Sequence, residues 1–262
     1  MNDEKIINTH ENEAIQSLWI GGNLSRMEVL SAKSFIKQGH EYHLYTYGDV
    51  GNVPTGVVLK DANDILDKSE IFTYKNGSYS AFSNLFRFTL LEKCGGYWAD
   101  TDLICVRNMN VLRDKSIIFV SEPYNKYSGE TPTSCLIKLP KNSEIARDGV
   151  RIQREHKRLI LSGKLRWSSG PTTVKQLIRK YDLNDAVMGW RTVCSCEWSD
   201  ASSLLTTKNQ YSECVIRKIE DIPEDMYCIH LWNEVWRRGG YDKNATYHKD
   251  CLYEQLKRTI LD

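Results

Sequence analysis

QSLWIGGNLSRMEVLSAKSFIKQGHEYHLYTY, residues 16–47, is the stretch on which the fold turns. Its opening, Gln16 to Gly21, is an apolar run ending in a glycine pair, the pattern of a strand running into a turn. Ser25 to Gln38 follows with Met27, Leu30, Ala32 and Phe35 among polar partners, a helical rhythm that Gly39 stops. Tyr42 to Tyr47 then alternates aromatic and smaller residues as a strand does. A strand, a crossover helix and a strand form the unit that builds mostly parallel sheets, so the spacing predicts an α/β protein.

Downstream, Val57 to Leu59 is a short strand candidate and Asp61 to Asp67 has a helical rhythm. Ser80 to Cys94 is the clearest helix, its apolar residues at helical spacing and Gly95-Gly96 as a stop. Tyr97 to Ala99, Leu103 to Val106, Ile117 to Val120 and Cys135 to Leu139 read as strands, with Asp100 and Asp102 interrupting the first two. Glu144 to Leu161 predicts a basic amphipathic helix, and Thr172 to Tyr181 a helix beginning just after Pro171. No Gly/Pro/Ser linker and no repeat divides the chain, so residues 1–262 are expected to form a single α/β domain with a mostly parallel central sheet flanked by helices.

Composition narrows the function. With 41% hydrophobic and 26% charged residues, the chain has the make-up of an ordinary globular protein. The formal net charge of +1 offers no field to gather a nucleic-acid backbone, so nucleic acid is not expected as a partner. The longest apolar runs fall far short of the roughly 18 to 20 residues that span hydrocarbon. Met1 to Glu13 is polar and acidic, unlike a secretory signal, and eight scattered cysteines then read as reduced thiols in a cytoplasmic protein. The cations from Arg147 to Arg166 form either a solvated helix face, the preferred reading, or a peripheral contact with an anionic membrane.

The feature richest in chemistry is Gly95-Gly96-Tyr97-Trp98-Ala99-Asp100-Thr101-Asp102. Two carboxylates with one residue between them can reach one ion if the chain bends there, and oxygen ligands suit Mg²⁺ or Mn²⁺. Such an ion would neutralise a departing diphosphate. Taken alone, an acid-x-acid triplet is more often a pair of solvent-facing or capping residues at a turn. The glycine pair, two aromatics and flanking strand surround charges that are costly to bury without a partner.

Phe82-Ser83-Asn84-Leu85-Phe86-Arg87, followed by Leu90, Leu91, Gly95, Gly96, Tyr97 and Asp100-Thr101-Asp102, resembles the sugar-binding region of the glycosyltransferases with a D-x-D motif. The branch includes yeast initiating mannosyltransferases, alpha-1,4-galactosyltransferases, bacterial capsule and lipopolysaccharide transferases and glucosylating clostridial toxins. The resemblance implies a GT-A-like nucleotide-sugar transferase domain. Its donor is a UDP-sugar, its metal Mn²⁺ in preference to Mg²⁺, its acceptor a glycan or glycolipid hydroxyl, and its outcome retention of anomeric configuration.

The same resemblance assigns residues. Trp19-Ile20-Gly21-Gly22 is similar to the family's first strand, placing Trp19 by the uracil and Gly21 in the nucleotide loop. Ile229-His230-Leu231-Trp232 resembles the late motif that returns to the metal, with His230 as third ligand beside Asp100 and Asp102 and Trp232 as cover. Ser168-Ser169-Gly170-Pro171 resembles a segment entering the donor site, putting Ser169 and Gly170 with Thr101 among the donor contacts. Arg87 matches the arginine that holds sugar or phosphate, and joins Asp100 and Asp102 as an expected catalytic residue. Asn84 stands where the family usually has a sugar-binding aspartate, a departure that loses a charge but keeps hydrogen bonding. The alternatives are a non-catalytic nucleotide-sugar or glycan-binding protein, and a transferase acting on a protein hydroxyl.

Overall fold

Alternation along the central strands decides which helix each side chain meets. In the computed structural model, which describes residues 12–123, 129–167, 169–207 and 216–262, Tyr97 and Ala99 face one apolar core and Trp98 between them faces the other, as the two-residue period of a strand requires. The strands are β1 (Ile15–Trp19), β2 (Tyr42–Thr46), β3 (Val57–Asp61), β4 (Gly96–Ala99), β5 (Leu103–Cys105), β6 (Ile118–Pro123), β7 (Glu130–Leu139), β8 (Val187–Met188) and β9 (Cys228–His230). Seven of them form one sheet in the order β3-β2-β1-β4-β7-β6-β8, while β5 and β9 pair by themselves. In the larger sheet only the β7 pairings are antiparallel. The mostly parallel α/β sheet is as the opening strand-helix-strand unit predicts.

The helices are α1 (Arg26–Lys37), α2 (Ser80–Cys94), α3 (Glu144–Leu161), α4 (Ser169–Tyr181), α5 (Asn233–Gly239) and α6 (Leu252–Leu261). Met27, Leu30 and Phe35 of α1 and Leu252, Tyr253 and Leu256 of α6 fill the core on one face of the sheet. On the other, Phe82, Leu85, Phe86 and Leu90 of α2 pack with Val174 and Leu177 of α4. Ser25 caps α1 with Glu28 in a reciprocal capping box. Two polar side chains inside the sheet bond its backbone: Gln16 Nε2 donates to Gly95 O at 2.8 Å and Ser17 Oγ to Ala99 O at 2.6 Å.

The reversal from α2 into β4 needs its glycine pair. Gly95 and Gly96 have φ of 64° and 85°, and a Cβ on either would lie 2.6 Å from Lys141 N or 2.4 Å from Asn12 O. Gly149 of α3 serves a different end, since a Cβ there would fall 2.3 Å from the Phe88 ring of α2. Gly149→Ala should therefore destabilise the protein by about 1–3 kcal/mol through overpacking, although alanine is the better helix former. Chemical denaturation would check it, and a variant as stable as the parent would show that the two helices can separate at no cost.

Two expectations are corrected. Helix α4 begins at Ser169, ahead of Pro171; a proline in the first turn forgoes only an N–H that has no intrahelical acceptor. Strand β7 begins at Glu130, five residues before the predicted Cys135. Pro132 disguises it, yet there β7 pairs with β6 alone, while β4 pairs only with residues 136–139. The proline thus sits where the strand is locally an edge.

On α3, Arg154 and Lys157 pair with Glu70, Arg151 with Asp148 and Arg158 with Glu155, and no helix among the described residues is long and apolar enough to cross a membrane. The seven described cysteines are free thiols.

Candidate active site

The acidic pair occupies a bend. Asp100 N donates to Cys135 O at 2.8 Å, the last tie to the large sheet, and Leu103 N donates back to Asp100 O at 3.1 Å. The chain then leaves as β5 to pair with β9, Leu103 opposite His230. That change of sheet turns both carboxylates to the carboxyl-terminal edge, where crossover loops converge, and brings His230 beside them.

Each carboxylate is held from a different side. Asp100 Oδ1 accepts Arg87 Nη2 at 2.6 Å and Trp98 Nε1 at 2.7 Å. Asp102 Oδ2 accepts Asn233 N at 2.7 Å and lies 3.4 Å from His230 Nε2, while Asp102 O accepts Leu231 N at 2.9 Å. Between those two anchored residues, Trp232 has φ 60° and ψ 52°, a left-handed conformation that costs a bulky residue on the order of 1–3 kcal/mol. Its ring lies against the His230 imidazole, with centroids 4.0 Å apart.

Oxygen or nitrogen ligand atoms of Asp100, Asp102 and His230 lie within 4.8 Å of one another. The donor chemistry of two carboxylates and one imidazole fits a divalent cation, and Mn²⁺ accepts the nitrogen more readily than Mg²⁺ does. Trp232 Nε1 and Asn233 Oδ1, both buried and without a hydrogen-bond partner, border the same cleft.

Charge couples the cluster. Burial favours neutral His230, but Asp102 outweighs it and holds the imidazolium well above its usual value of 6.5. Burial likewise opposes ionised Asp102, yet the His230 charge and the Asn233 N–H bring it below its usual 3.8. With chelator present, the histidine's contribution to stability is complete below 6.5 and fades as pH rises through its folded value. The aspartate's contribution is present above 3.8 and fades as pH falls through its lowered value. The melting difference between the parent and His230→Gln should therefore be largest between about pH 4 and 6.5 and shrink toward alkaline pH. Because a cation needs the neutral imidazole, Mn²⁺ affinity should rise with pH over that alkaline range. A difference in melting that is flat with pH would overturn the coupling.

The cluster forms the floor of a cleft of about 530 Å³, within the size range of small-molecule sites. Of the residues expected from the sequence, Trp19, Arg87, Asp100, Thr101, Asp102, His230 and Trp232 line it. Gly21 stands beside the Trp19 ring, 3.4 Å from its indole nitrogen measured from an added Cβ. Asn84, Ser169 and Gly170 do not line the cleft and are buried behind it. Asn84 Oδ1 accepts Arg87 Nη1 at 2.7 Å, Asn84 Nδ2 donates to Ser169 Oγ at 2.8 Å, and Ser169 Oγ meets Tyr74 OH at 2.8 Å. Gly170 lies so close that a Cβ would come within 2.6 Å of Asn84 Oδ1. Asn84 thus holds Arg87, and Ser169 and Gly170 back Asn84.

Lys243 was not anticipated. It lines the cleft between Glu28, with which it forms an ion pair, and the Trp19 ring, 5.6 Å from the centroid. Asn233 and Arg237 join it. Nothing in the local sequence marks a lone lysine in Tyr241-Asp242-Lys243-Asn244 as a neighbour of the carboxylates at Asp100 and Asp102, more than a hundred residues earlier.

Fold and site together define an α/β domain with a two-carboxylate, one-imidazole cluster on the floor of a cleft at the sheet edge. Residues 8–118, which include β1, α1 and α2 and the acidic pair, match the family described as glycosyltransferase sugar-binding region containing DXD motif. Among solved structures, the chain is similar to the PaToxG glycosyltransferase, with 18% identity over 67% of this chain and 72% of that one and a TM-score of 0.48. It is similar to the glycosyltransferase GlyE of Streptococcus pneumoniae TIGR4, with 14% identity over 95% of this chain and 65% of that one and a TM-score of 0.48. For the galactosyltransferase LgtC, solved with donor and acceptor sugar analogues, identity is 9% over 94% of this chain and 93% of that one, with a TM-score of 0.49. No curated protein matches the chain.

Proposed function

We propose that the protein is a metal-dependent glycosyltransferase that moves a hexose from a UDP-sugar to a hydroxyl of a glycan or glycolipid, with retention of configuration. The observation that carries this reading is the Asp100, Asp102 and His230 cluster on the floor of a cleft that Trp19 borders, in a chain whose residues 8–118 match a D-x-D sugar-binding region.

Asp100, Asp102 and His230 would hold Mn²⁺, which when bound supplies Lewis-acid neutralisation of the leaving diphosphate. Trp19 presents an aromatic face to the uracil. Lys243 and Arg237 bring positive charge to the same cleft, suited to the diphosphate. Burial raises the Asp100 carboxyl above its usual range; Arg87 opposes that rise and aims the carboxylate, and the Asn84 and Ser169 contacts keep Arg87 in place. The acceptor oxygen bonds to the anomeric carbon as that carbon's bond to the diphosphate oxygen breaks. The electron pair departs with UDP, and the hydroxyl proton passes to the leaving phosphate on the same face. The reading carries with it a cytoplasmic place of work, at a membrane's inner face when the acceptor is lipid-linked.

The test is a panel of UDP-hexoses incubated with the protein in Mn²⁺ and in chelator, with release of UDP as the readout. One donor should be hydrolysed slowly with Mn²⁺ and not without it. Tight UDP binding with no hydrolysis or transfer from any donor would identify a binding protein instead, and hydrolysis indifferent to chelation would end the metal assignment.

A further inference from the structure

Beyond the loop that leads into α2 lies a second cavity of about 500 Å³, bordered by Lys75, Arg166 and Arg238 over a floor that includes Ile160, Leu165 and Trp167. It adjoins the first cleft: Asn76 borders one cavity and Gly77 the other, and the same holds for Arg238 and Arg237. A chain of contacts also joins their walls. The Trp167 ring lies 5.0 Å from that of Tyr74, Tyr74 bonds Ser169, Ser169 bonds Asn84, and Asn84 bonds the arginine that grips Asp100.

The charges of the two cavities differ in kind. The first is lined by three carboxylates, Asp100, Asp102 and Glu234, as well as by Arg87, Arg237 and Lys243. The second has three cations on its border and no acid. Glu234, the carboxylate nearest by contact, is shared between Arg237 at 2.7 Å and Arg238 at 2.8 Å. Lys75 and Arg166 meet no carboxylate among the described residues. The Arg238 guanidinium is positioned over Trp167, 4.7 Å from its centroid, so its fork is pre-arranged at the cavity wall. Two guanidinium forks and an ammonium around an apolar floor are the recognition chemistry of a phosphate carried on a larger body, where a lone carboxylate would need only one arginine.

We propose that this second cavity is the acceptor subsite and that the acceptor it takes carries a phosphate group, held by Lys75, Arg166 and Arg238. The identification as an acceptor subsite rests on the transferase reading of the adjoining cleft; the phosphate site itself does not. Because the cavity supplies its own positive charge, it binds phosphate without metal, which separates it from the donor cleft.

The experiment titrates glucose 1-phosphate into the protein in chelator by calorimetry, with glucose as the uncharged comparison. Binding should weaken about tenfold or more in Lys75→Ala/Arg166→Ala, should fall with added salt, and should be unchanged in Asp102→Asn. Both replaced side chains are exposed, and a melting curve confirms that the variant folds. Equal affinity of parent and double variant, or equal affinity for glucose, overturns the site. Co-sedimentation with phosphatidylcholine vesicles, with and without phosphatidic acid, separates the sources: retention on the acidic vesicles that the double variant loses assigns a lipid-borne phosphate, and no retention beside binding of glucose 1-phosphate assigns a soluble one. If glucose 1-phosphate binds as stated while no UDP-hexose is turned over, the transferase reading has failed and the phosphate site stands.

Discussion

Asp102→Asn is expected to lower Mn²⁺-stimulated release of UDP from the preferred UDP-hexose by roughly two to three orders of magnitude, the scale on which loss of one preorganised electrostatic contact slows an enzyme. The substitution is nearly isosteric, so Asn233 N still finds an oxygen acceptor at the position where Asp102 Oδ2 stands 2.7 Å away. What goes is the charge that holds His230 protonated without metal and that would face the cation with it. The imidazole should therefore titrate lower in the variant. Turnover and Mn²⁺ affinity measured side by side would check this, and a variant whose turnover equals the parent's would remove Asp102 from the chemistry.

Arg87→Ala should be the most destabilising change near the site, costing about 3–5 kcal/mol. Arg87 is 3% exposed and stands 4.8 Å over the Trp98 ring while bridging Asn84 and Asp100. Its removal leaves a cavity and strips Asp100 of its counter-charge. Arg87→Lys should recover only part of the loss, because one ammonium cannot reproduce a fork directed at two acceptors. Denaturant melts of the two variants decide the matter, and full recovery by lysine would mean that charge alone, without the fork, sustains the network.

The same network explains why Asn84 was hard to read. As an expected sugar contact it looked like a loss of charge from the site. In the fold its carbonyl serves Arg87 and its amide serves Ser169, a division of labour that a carboxylate, an acceptor only, cannot perform. Ser169 and Gly170, likewise expected among the donor contacts, form the buried first turn of α4, packed on Asn84 and Ser134. Sequence proximity to a motif did not distinguish a wall of the cleft from the layer that braces it.

Periodicity was legible where one face of an element is apolar throughout. Helices α2 and α3 run from Ser80 to Cys94 and from Glu144 to Leu161, as the pattern predicts, because Gly95-Gly96 stops one and Ser143 caps the other. The short elements of the last third carry no such signal. Strand β9 has three residues and α5 seven, too few for a period to show.

The α/β layering follows from the amino-acid pattern alone, since alternating strands and one-faced helices have few ways to bury their apolar sides. So does the presence of a carboxylate pair that could not be buried without a partner. The identity of that partner comes from the packing of distant strands. The bend at Asp100 passes the chain from one sheet to another, and the pairing of β5 with β9 brings His230 and Lys243 to residues far upstream. Charges separated by such a length of chain leave no trace in local composition, because what joins them is strand pairing set by the whole core.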